Sequence, residues 1–380
     1  MTLSPTFSFN IVHQSKRSRA RVGQIVTPHG VIDTPNFVAV GTNATLKALD
    51  SLTVTQLGLQ LMFCNTYHLM VQPGTNIVKK AGGLHRFIGR TLPLITDSGG
   101  FQVFSLAYGG VHNELKSKGK RQTNNTVMSV TEEGVIFRSY RDGTPIVLTP
   151  ESSILAQKDL GADIIIPLDE LLPYHIDAQA LEASFNRTHR WQKRSFQTHV
   201  SDPAGQAMYA VIHGNVNKEL RKASCDFLTK LDFDGFAIGG SLGKTKEEMF
   251  DLLAFIAPLL PTQKPNHLLG IGDMNSIDIG IPLGIDTFDS SYPTRCARHG
   301  LLFTLQGHTI KVLSSANRDD FTPPDPLCRC FTCTNYSRAY LHHLFKAHEM
   351  TGYTLATIHN VHTMITLMQL YREKILNDEI

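Results

Sequence analysis

The chain is dominated by a repeated pattern in which a short apolar run stops abruptly in glycine or polar residues. The pattern occurs eight times, in TPNFVAVGTN, LQLMFCNTY, LPLITDSGG, GADIIIPLDE, QAMYAVIHGN, DGFAIGGS, HLLGIGD and IDTFDSSYP. Most of these runs are separated by stretches of helical pattern, such as TPESSILAQKDL and KTKEEMFDLLAFIAPLL. Near-continuous apolar strands that alternate with helices predict a parallel sheet that is covered on both faces.

Eight such strands predict a (β/α)8 barrel, an α/β fold, and an open doubly wound sheet is the competing arrangement. The alternation is interrupted over residues 103–150, where a period-two pattern predicts antiparallel strands inserted after the third barrel strand. The N-terminal FSFNIV and GQIVTPHGVIDTP predict a hairpin, and Ser337 to Ile380 have a helical pattern. We therefore expect an irregular barrel over residues 1–315, followed by a small C-terminal subdomain and helices over residues 316–380 that pack on the barrel.

The composition indicates a folded protein of a reducing compartment. The 380 residues are 42% hydrophobic and 18% charged, which is enough for a large core. Because no run of 18 apolar residues and no signal-peptide pattern is present, we expect a cytoplasmic protein without a membrane partner. The net charge is only +3, but basic residues are concentrated in HQSKRSRAR, KSKGKR, RTHRWQKR and TRCARH. A single basic run of this kind is typical of a solvent-exposed surface, whereas the four runs together favour a polyanionic binding partner.

Half of the six cysteines lie within DPLCRCFTC, as Cys328, Cys330 and Cys333. Three thiolates need one further ligand for tetrahedral zinc, which accepts an imidazole readily. The downstream LATIHNVHTMITL offers His359 and His362, and LHHLFKAH offers three more histidines; among these we prefer His359. A site closed by four protein ligands leaves no position for water, so the predicted metal is structural. The three scattered cysteines are expected to be inert.

Active sites of such barrels lie at the carboxyl ends of the strands. At those positions the sequence places Asp97, Asp169, His213, Gly240 and Asp289. These five residues are therefore the candidate site that follows from the barrel prediction.

Four motifs, TDSGGFQVFSL, DGFAIGG, GIDTFDSSYPTRCARHG and CRCFTC with a later HN, occur in this order over nearly the whole length. Together they resemble the tRNA-guanine transglycosylases, also called queuine tRNA-ribosyltransferases. The resemblance implies an irregular (β/α)8 barrel with a zinc-containing insertion, whose ligands correspond to Cys328, Cys330, Cys333 and His359. In that family the zinc subdomain helps to bind tRNA and to form a homodimer. The implied reaction exchanges guanine at the wobble position of the anticodon for a 7-deazaguanine base.

Cleavage of a glycosidic bond passes through an oxocarbenium-like state, which retaining enzymes stabilise with a carboxylate nucleophile and a second group that handles protons. The resemblance implies that Asp289 is the nucleophile, although Asp286 is its rival by sequence alone. Asp97 corresponds to the general acid/base of the family, and the Ser98-Gly99-Gly100 turn that follows lets the backbone approach the base.

The resemblance also implies a pocket for the base. Asp169 corresponds to the carboxylate that accepts hydrogen bonds from N1 and the exocyclic amine of the purine. Gln102 and the backbone of Gly239 and Gly240 complete the pocket. Phe101 is a candidate to stack on the base, with a place in the core as the alternative.

Arg295 and Arg298 follow the nucleophile and correspond to residues that contact anticodon nucleotides, a role that suits the planar guanidinium.

Three positions depart from the family pattern: His213 replaces a glutamine, the GGSLGKT loop is shorter and lacks a glutamate, and Leu171 replaces a smaller residue. All three line the base pocket in the family. Because Gly243 leaves room for a cyclopentenediol ring, we expect queuine to be preferred over 7-aminomethyl-7-deazaguanine.

Two other functions compete with base exchange. A noncatalytic tRNA-binding accessory subunit of the same family would characteristically lack the catalytic aspartates, whereas Asp97 and Asp289 are both present. A zinc-dependent hydrolase of small molecules would require an open metal site, which the predicted Cys3His group does not leave.

Overall fold

The computed structural model describes residues 7–107, 127–172, 174 and 176–380. Eight parallel strands form a closed barrel, so the predicted barrel is confirmed and the open sheet is excluded. Each of the eight apolar runs supplies one strand. Numbered in chain order, the barrel strands are β4 (Asn36–Val40), β5 (Met62–Cys64), β6 (Leu94–Thr96), β10 (Ile164–Ile165), β11 (Ala207–Ile212), β12 (Gly235–Ile238), β13 (Asn266–Leu268) and β14 (Thr287–Ser290).

The barrel closes because its last strand pairs with its first. Thr287 of β14 lies opposite Asn36 of β4, and the parallel register continues to Ser290 opposite Ala39. Every residue of β11 and β12 is buried, as expected for strands covered on both faces. One cluster of buried side chains fills the interior, among them Val38, Phe63, Ile95, Ile164, Tyr209 and Val211.

Helices surround the barrel, and several begin at the residues that the sequence indicates. The helices are α1 (Ser51–Gln56), α2 (Thr66–Val71), α3 (Thr75–Lys80), α4 (Leu84–Ile88), α5 (Gly100–Ala107), α6 (Pro150–Leu160), α7 (Ala178–Ser201), α8 (Lys218–Leu228), α9 (Lys246–Ile256), α10 (Met274–Gly280), α11 (Tyr292–Arg298), α12 (Phe331–Asn335), α13 (Arg338–Lys346) and α14 (Met350–Leu376), with 3-10 turns at Ala257–Leu259 and Ser315–Asn317. Thr149 caps α6 through a reciprocal capping box, and Thr245 caps α9.

Antiparallel strands are added to the barrel in three places. The strands β1 (Ser8–Gln14), β2 (Arg21–Thr27) and β3 (Gly30–Thr34) form one sheet, which extends the predicted N-terminal hairpin by one strand. A second sheet contains β7 (Val127–Val130), β8 (Val135–Arg138) and β9 (Pro145–Leu148). A two-stranded hairpin of β15 (Leu301–Phe303) and β16 (Thr309–Lys311) follows the barrel.

The predicted insertion at about 103–150 is wrong at its start. Residues 103–107 belong to α5, because the Gly99-Gly100 turn ends the third barrel strand and opens a helix there. The inserted antiparallel strands begin at Val127. The basic run KSKGKR, residues 116–121, lies outside the described residues.

The C-terminal segment is helical, as predicted. The long helix α14 contacts α11, α12, α13, β15 and also the barrel strand β4. It therefore connects the cysteine-containing segment to the barrel. None of the helices in the described part of the chain is long and apolar enough to cross a bilayer.

Asp286 directly precedes β14, at the opposite end of this strand from Asp289. It is almost completely buried and accepts two hydrogen bonds from Arg21 of β2, at 2.9 Å from Nε and 2.6 Å from Nη2. The backbone N–H of Asn266 adds a third at 2.7 Å. This carboxylate therefore holds the N-terminal sheet to the barrel.

Removing the charge of Asp286 should destabilise the fold, because Arg21 would remain buried without a counter-charge. We expect Asp286→Asn to lower the free energy of unfolding by about 3–5 kcal/mol. Denaturant unfolding is the measurement, with Asp232→Asn as the control, since Asp232 is 96% exposed in its pair with Lys264 and should contribute about 0–1 kcal/mol. Equal losses in both variants would contradict this account.

Candidate active site and metal centre

Asp97 directly follows β6 and its buried carboxylate receives four hydrogen bonds. The donors are Asn65 Nδ2 at 2.6 Å, the Thr66 N–H at 2.8 Å, Gln102 Nε2 at 2.9 Å and the Gly99 N–H at 3.2 Å. Burial raises the pKa of Asp97 to about 6, although the hydrogen bonds act in the opposite direction. A carboxyl group with this pKa can both give and take a proton near neutral pH, as general acid/base catalysis requires.

The turn after Asp97 brings a second carboxylate close. Gly99 has a φ of +84°, which favours glycine, and a Cβ on Gly100 would lie 2.6 Å from the carbonyl oxygen of Asp169. Ser98 donates from Oγ to Asp169 Oδ1 at 3.3 Å. The glycines are therefore needed for the close approach of the loops that carry Asp97 and Asp169.

The predicted base-pocket residues Asp169, His213 and Gly240 come together at the ends of neighbouring strands. His213 Nε2 lies 2.8 Å from Asp169 Oδ2. Gly240 has a φ of +74°, and a Cβ there would lie 3.4 Å from His213 Nδ1. Asp169 remains partly exposed, so its edge is accessible to a ligand. Gln102 instead binds Asp97.

Arg221 is a site residue that the sequence analysis missed. Its buried guanidinium donates to four backbone carbonyls: Asn215 at 2.7 Å, Ile212 at 2.6 Å, Gly239 at 2.8 Å and Ser241 at 3.0 Å. It therefore holds the loops after β11 and β12 in place, and burial lowers its pKa to about 9. An arginine in an amphipathic helix is usually solvated, so the sequence carries no signal for this role.

Asp289 lies in β14 at the carboxyl end of the barrel and is almost completely buried. Its Oδ1 accepts from the Gly270 N–H at 2.7 Å and from His267 Nε2 at 3.0 Å. Within the described part of the chain no group donates to its Oδ2. The carboxylate is thus held by one oxygen while the other remains available.

His267 is a second site residue that was not predicted from the sequence. A histidine within an apolar strand is unusual, so the sequence did carry a signal for it.

The arginines predicted to contact RNA lie on α11, directly after β14. Arg295 is exposed, with its guanidinium 5.8 Å from the centre of the Tyr292 ring, and Arg298 is half-buried. Neither forms an ion pair with another described residue. Phe101, at the start of α5, is 46% exposed, which excludes the core as its place.

The basic run RTHRWQKR differs from these arginines, because three of its side chains are neutralised by glutamates. The ion pairs are Arg187–Glu170, Arg190–Glu132 and Arg194–Glu151. The charges of these three arginines are therefore paired within the protein, which agrees with the interpretation of this run alone as a solvated face.

The GGSLGKT loop has a carboxylate that its own sequence lacks. Glu248 of α9 accepts from the Lys244 N–H at 2.6 Å and from the Tyr174 hydroxyl at 3.4 Å. Its Cβ would lie 2.6 Å from a Cβ on Gly243, whose φ is +107°. Lys244 Nζ lies 4.6 Å from the centre of the Tyr174 ring. Glu248 therefore occupies the space beside Gly243, so the expectation that Gly243 leaves room for a cyclopentenediol ring is wrong at this position. The single negative charge of Glu248 equals the single positive charge of Lys244.

The predicted metal ligands Cys328, Cys330, Cys333 and His359 form one buried group, and their ligand atoms lie within 4.8 Å of one another. His359 Nδ1 lies 3.2 Å from Cys333 Sγ and 3.6 Å from Cys330 Sγ. Its Nε2 lies 2.6 Å from the Phe303 carbonyl oxygen and donates to it, which leaves the Nδ1 lone pair directed at the thiols. This donor set fits a tetrahedral metal ion.

The rival histidines do not complete the group in the same way. His362 Nδ1 lies 3.5 Å from Cys328 Sγ, but His362 is not part of the set whose ligand atoms converge. His342 Nδ1 donates to the Val312 carbonyl at 2.9 Å, and both His343 and His348 are exposed.

A (β/α)8 barrel with buried carboxylates at its carboxyl rim and a buried Cys3His group defines a barrel enzyme whose C-terminal segment can hold a metal ion. The model of the family described as queuine tRNA-ribosyltransferase matches residues 15–380. The chain therefore belongs to the queuine tRNA-ribosyltransferase family, whose members transfer pentosyl groups.

Curated relatives agree over almost the full length. A queuine tRNA-ribosyltransferase of Protochlamydia amoebophila is 62% identical over 374 residues, which cover 98% of this chain and 96% of the relative. Proteins of the same name from Chlamydia felis and Chlamydia trachomatis serovar A are 54% and 52% identical over 373 residues, covering 98% of this chain and 99% of each relative.

Removing the Asn65 donor should raise the pKa of Asp97 further, because that hydrogen bond stabilises the ionised carboxylate. We expect Asn65→Ala to move the inflection of the pH profile that depends on Asp97 from about 6 to higher pH. The single-turnover rate of guanine release measured from pH 5 to 9 tests this, with the exposed Asn335→Ala as control. An inflection that stays in place or moves to lower pH would contradict the assignment.

Proposed function

We propose that the protein is a tRNA-guanine transglycosylase that exchanges guanine at the anticodon wobble position for a 7-deazaguanine base through a covalent ribosyl-enzyme intermediate. The observation that carries this proposal is the pair of buried carboxylates at the carboxyl rim. Asp289 keeps one oxygen without a donor among the described residues, and Asp97 has a pKa of about 6. Family membership adds the substrate class.

In the first half-reaction, Asp289 Oδ2 forms a bond to C1′ of the ribose while the bond between C1′ and N9 of guanine breaks. The electron pair leaves with guanine, which takes a proton from Asp97. The transition state has oxocarbenium character, which a carboxylate beside the sugar stabilises. The phosphate backbone is not cut.

In the second half-reaction, Asp97 removes the N9 proton of the incoming base, which attacks C1′ and displaces Asp289 Oδ2. The configuration at C1′ is retained because two displacements occur. Asp97 thus acts first as acid and then as base, and its pKa of about 6 suits both roles.

Asp169 provides recognition of the guanine-like edge, since a carboxylate accepts from the adjacent N1 and amine donors. Ser98 and His213, which bind its two oxygens, orient it, and Gly240 completes the pocket wall. Arg295 and Arg298, next to the nucleophile on α11, are placed for the flanking anticodon nucleotides.

The accessory-subunit alternative is less well supported. A noncatalytic subunit has no need for a carboxyl group at Asp97 with a raised pKa, or for the two hydrogen bonds that fix one oxygen of Asp289. Desolvation of the Asp97 carboxyl group costs folding free energy, and a shifted carboxyl pKa in a cleft at a strand end is typical of a site that performs chemistry.

We propose queuine as the preferred incoming base. Glu248 accepts one hydrogen bond from the Lys244 N–H of the loop and one from the Tyr174 hydroxyl, and the Lys244 ammonium lies over the same Tyr174 ring. This arrangement offers no uncompensated negative charge to a short aminomethyl group. The charge balance of the loop, rather than empty space at Gly243, is therefore the argument for the neutral, hydroxylated ring of queuine.

We also propose that the Cys3His group holds zinc. The thiolates and the imidazole would supply a structural site that holds α12 and α14 together, and the metal would neutralise the charge of the cysteine thiolates. No step of the reaction needs it.

A second copy of the chain is the proposed partner of the zinc subdomain. Four aromatic side chains make a continuous row there: Phe331 to Tyr336 at 5.8 Å, Tyr336 to Tyr340 at 5.3 Å and Tyr340 to His343 at 6.4 Å between ring centres. Phe331 is 55% exposed and Tyr340 is 41% exposed. Aromatic rows of this kind are enriched at interfaces, and the resemblance implies a homodimer.

Asp289→Asn should abolish the covalent adduct with guanine-containing tRNA, because the amide is a poor nucleophile. A denaturing gel of enzyme and labelled tRNA measures the adduct. The control is Asp286→Asn at a temperature where it is folded, which should keep the adduct. Full adduct formation by Asp289→Asn would overturn the assignment.

Exchange should be faster with queuine than with 7-aminomethyl-7-deazaguanine when both are present at equal concentration. One lost contact is worth about 1–3 kcal/mol, so the rate ratio should be about tenfold or more. Competition kinetics with purified enzyme and tRNA measure the ratio, and the control is Lys244→Gln, which should reduce it. A clear preference for the aminomethyl base would contradict the interpretation of this loop.

His359→Ala should lower the zinc content below one per chain and weaken both tRNA binding and dimer formation, while the barrel stays folded. Metal analysis, a gel-shift titration with tRNA, light scattering and circular dichroism measure zinc content, tRNA binding, dimer formation and folding, respectively. The matched control is His343→Ala, which should reduce dimer formation but not zinc content. Freshly purified wild-type protein without stoichiometric zinc would contradict the metal assignment.

A further inference from the structure

The barrel interior contains a histidine that the proposed reaction does not use. His267 lies in β13 and is completely buried. Its ring is stacked near Phe63, with centres 6.3 Å apart and planes at 18°. A buried imidazole costs free energy unless its nitrogens are hydrogen-bonded. Both nitrogens are: Nδ1 lies 2.7 Å from Thr287 Oγ1, and Nε2 lies 3.0 Å from Asp289 Oδ1.

Strand register produces this arrangement. His267 lies directly opposite Thr287 in the parallel pairing of β13 and β14. Thr287 and Asp289 are two residues apart on one strand, so both side chains point to the same face as the histidine ring. The strand register therefore places Thr287, His267 and Asp289 in one row, and the contact with Thr287 Oγ1 orients the ring toward Asp289.

The proton on the ring can be assigned from its partners. An ionised carboxylate only accepts hydrogen bonds, so His267 Nε2 carries a proton and donates to Asp289 Oδ1. The Thr287 hydroxyl can donate to Nδ1 of the neutral ring or accept from a protonated one. In either case the donor toward Asp289 is maintained, and the Gly270 N–H adds a second donor to the same oxygen.

We propose that His267 is a positioning residue for the nucleophile: together with the Gly270 N–H it holds Oδ1 of Asp289 and presents Oδ2 to C1′ of the ribose. This inference rests on the proposed function, in which Asp289 forms the covalent bond. In the intermediate, Oδ1 becomes the carbonyl oxygen of an ester-like bond and keeps both donors. When the incoming base displaces Oδ2, the bonding electron pair returns to the carboxylate and both donors stabilise it.

The inference predicts an effect on the rate of the chemical step and none on RNA binding. His267→Phe fills the ring volume without a donor, so adduct formation at saturating RNA should slow by about 10²–10³-fold, as for loss of one preorganised donor. The dissociation constant for the anticodon stem-loop should change less than about twofold. His267→Gln, whose Nε2 can still donate, should recover adduct formation to within about tenfold of wild type.

The test is the single-turnover rate of adduct formation with guanine-containing anticodon stem-loop, with thermal unfolding of each variant as a check of the fold. If His267→Phe does not fold, Thr287→Val is the second variant. It removes the hydroxyl that contacts Nδ1 and leaves the histidine in place. We expect it to slow adduct formation by about tenfold. Absence of adduct in wild type would overturn the nucleophile assignment itself. Two results would overturn only the role of His267, provided that wild type forms the adduct. One is an unchanged rate in His267→Phe or Thr287→Val, and the other is an equal loss of rate in His267→Gln and His267→Phe.

Discussion

The pairing of β14 with β4 is the constraint on which the rest of the structure depends. A parallel barrel that closes in register places the carboxyl ends of all eight strands on one rim. Closure therefore brings groups from distant parts of the sequence to one surface, including Asp97 after β6, His213 after β11 and Asp289 in β14. An open sheet would leave the first and last strands apart, and Asp289 would lie far from Asp97.

The same closure separates two aspartates that are three residues apart. Asp286, at the amino end of β14, is paired with Arg21 and serves stability. Asp289, at the carboxyl end, accepts hydrogen bonds from His267 and the Gly270 N–H on one oxygen, and its other oxygen has no donor among the described residues. Elsewhere on the rim, the buried polar groups are held by hydrogen bonds and not by opposite charges: Asp97 by four donors, and Arg221 by four carbonyls. Such networks fix geometry at a cost in desolvation, which a catalytic rim can justify.

The sequence predicted those features that depend on local pattern. The eight strands follow from apolar runs, the start of α6 from its Thr-Pro pair, and the Cys3His group from ligand spacing. Features that depend on distant partners were missed or wrong. Arg221 is set by carbonyls of two other loops, Glu248 reaches back to Lys244, and the arginines of RTHRWQKR find glutamates far along the chain. Residues 103–107 were included in the predicted insertion although the period-two pattern lies in residues 126–149, so the insertion was predicted to start too early.

In the reaction that we propose, Asp289 forms a covalent bond to the ribose. The most direct measurement is mass spectrometry of the enzyme trapped with guanine-containing RNA, then digested with nuclease and trypsin. We expect the tryptic peptide that ends at Arg295 to carry a ribose-linked fragment, and we expect its fragment ions to show that the added mass is on Asp289. Added mass on Asp286 or Asp97, or base exchange without any modified peptide, would contradict it.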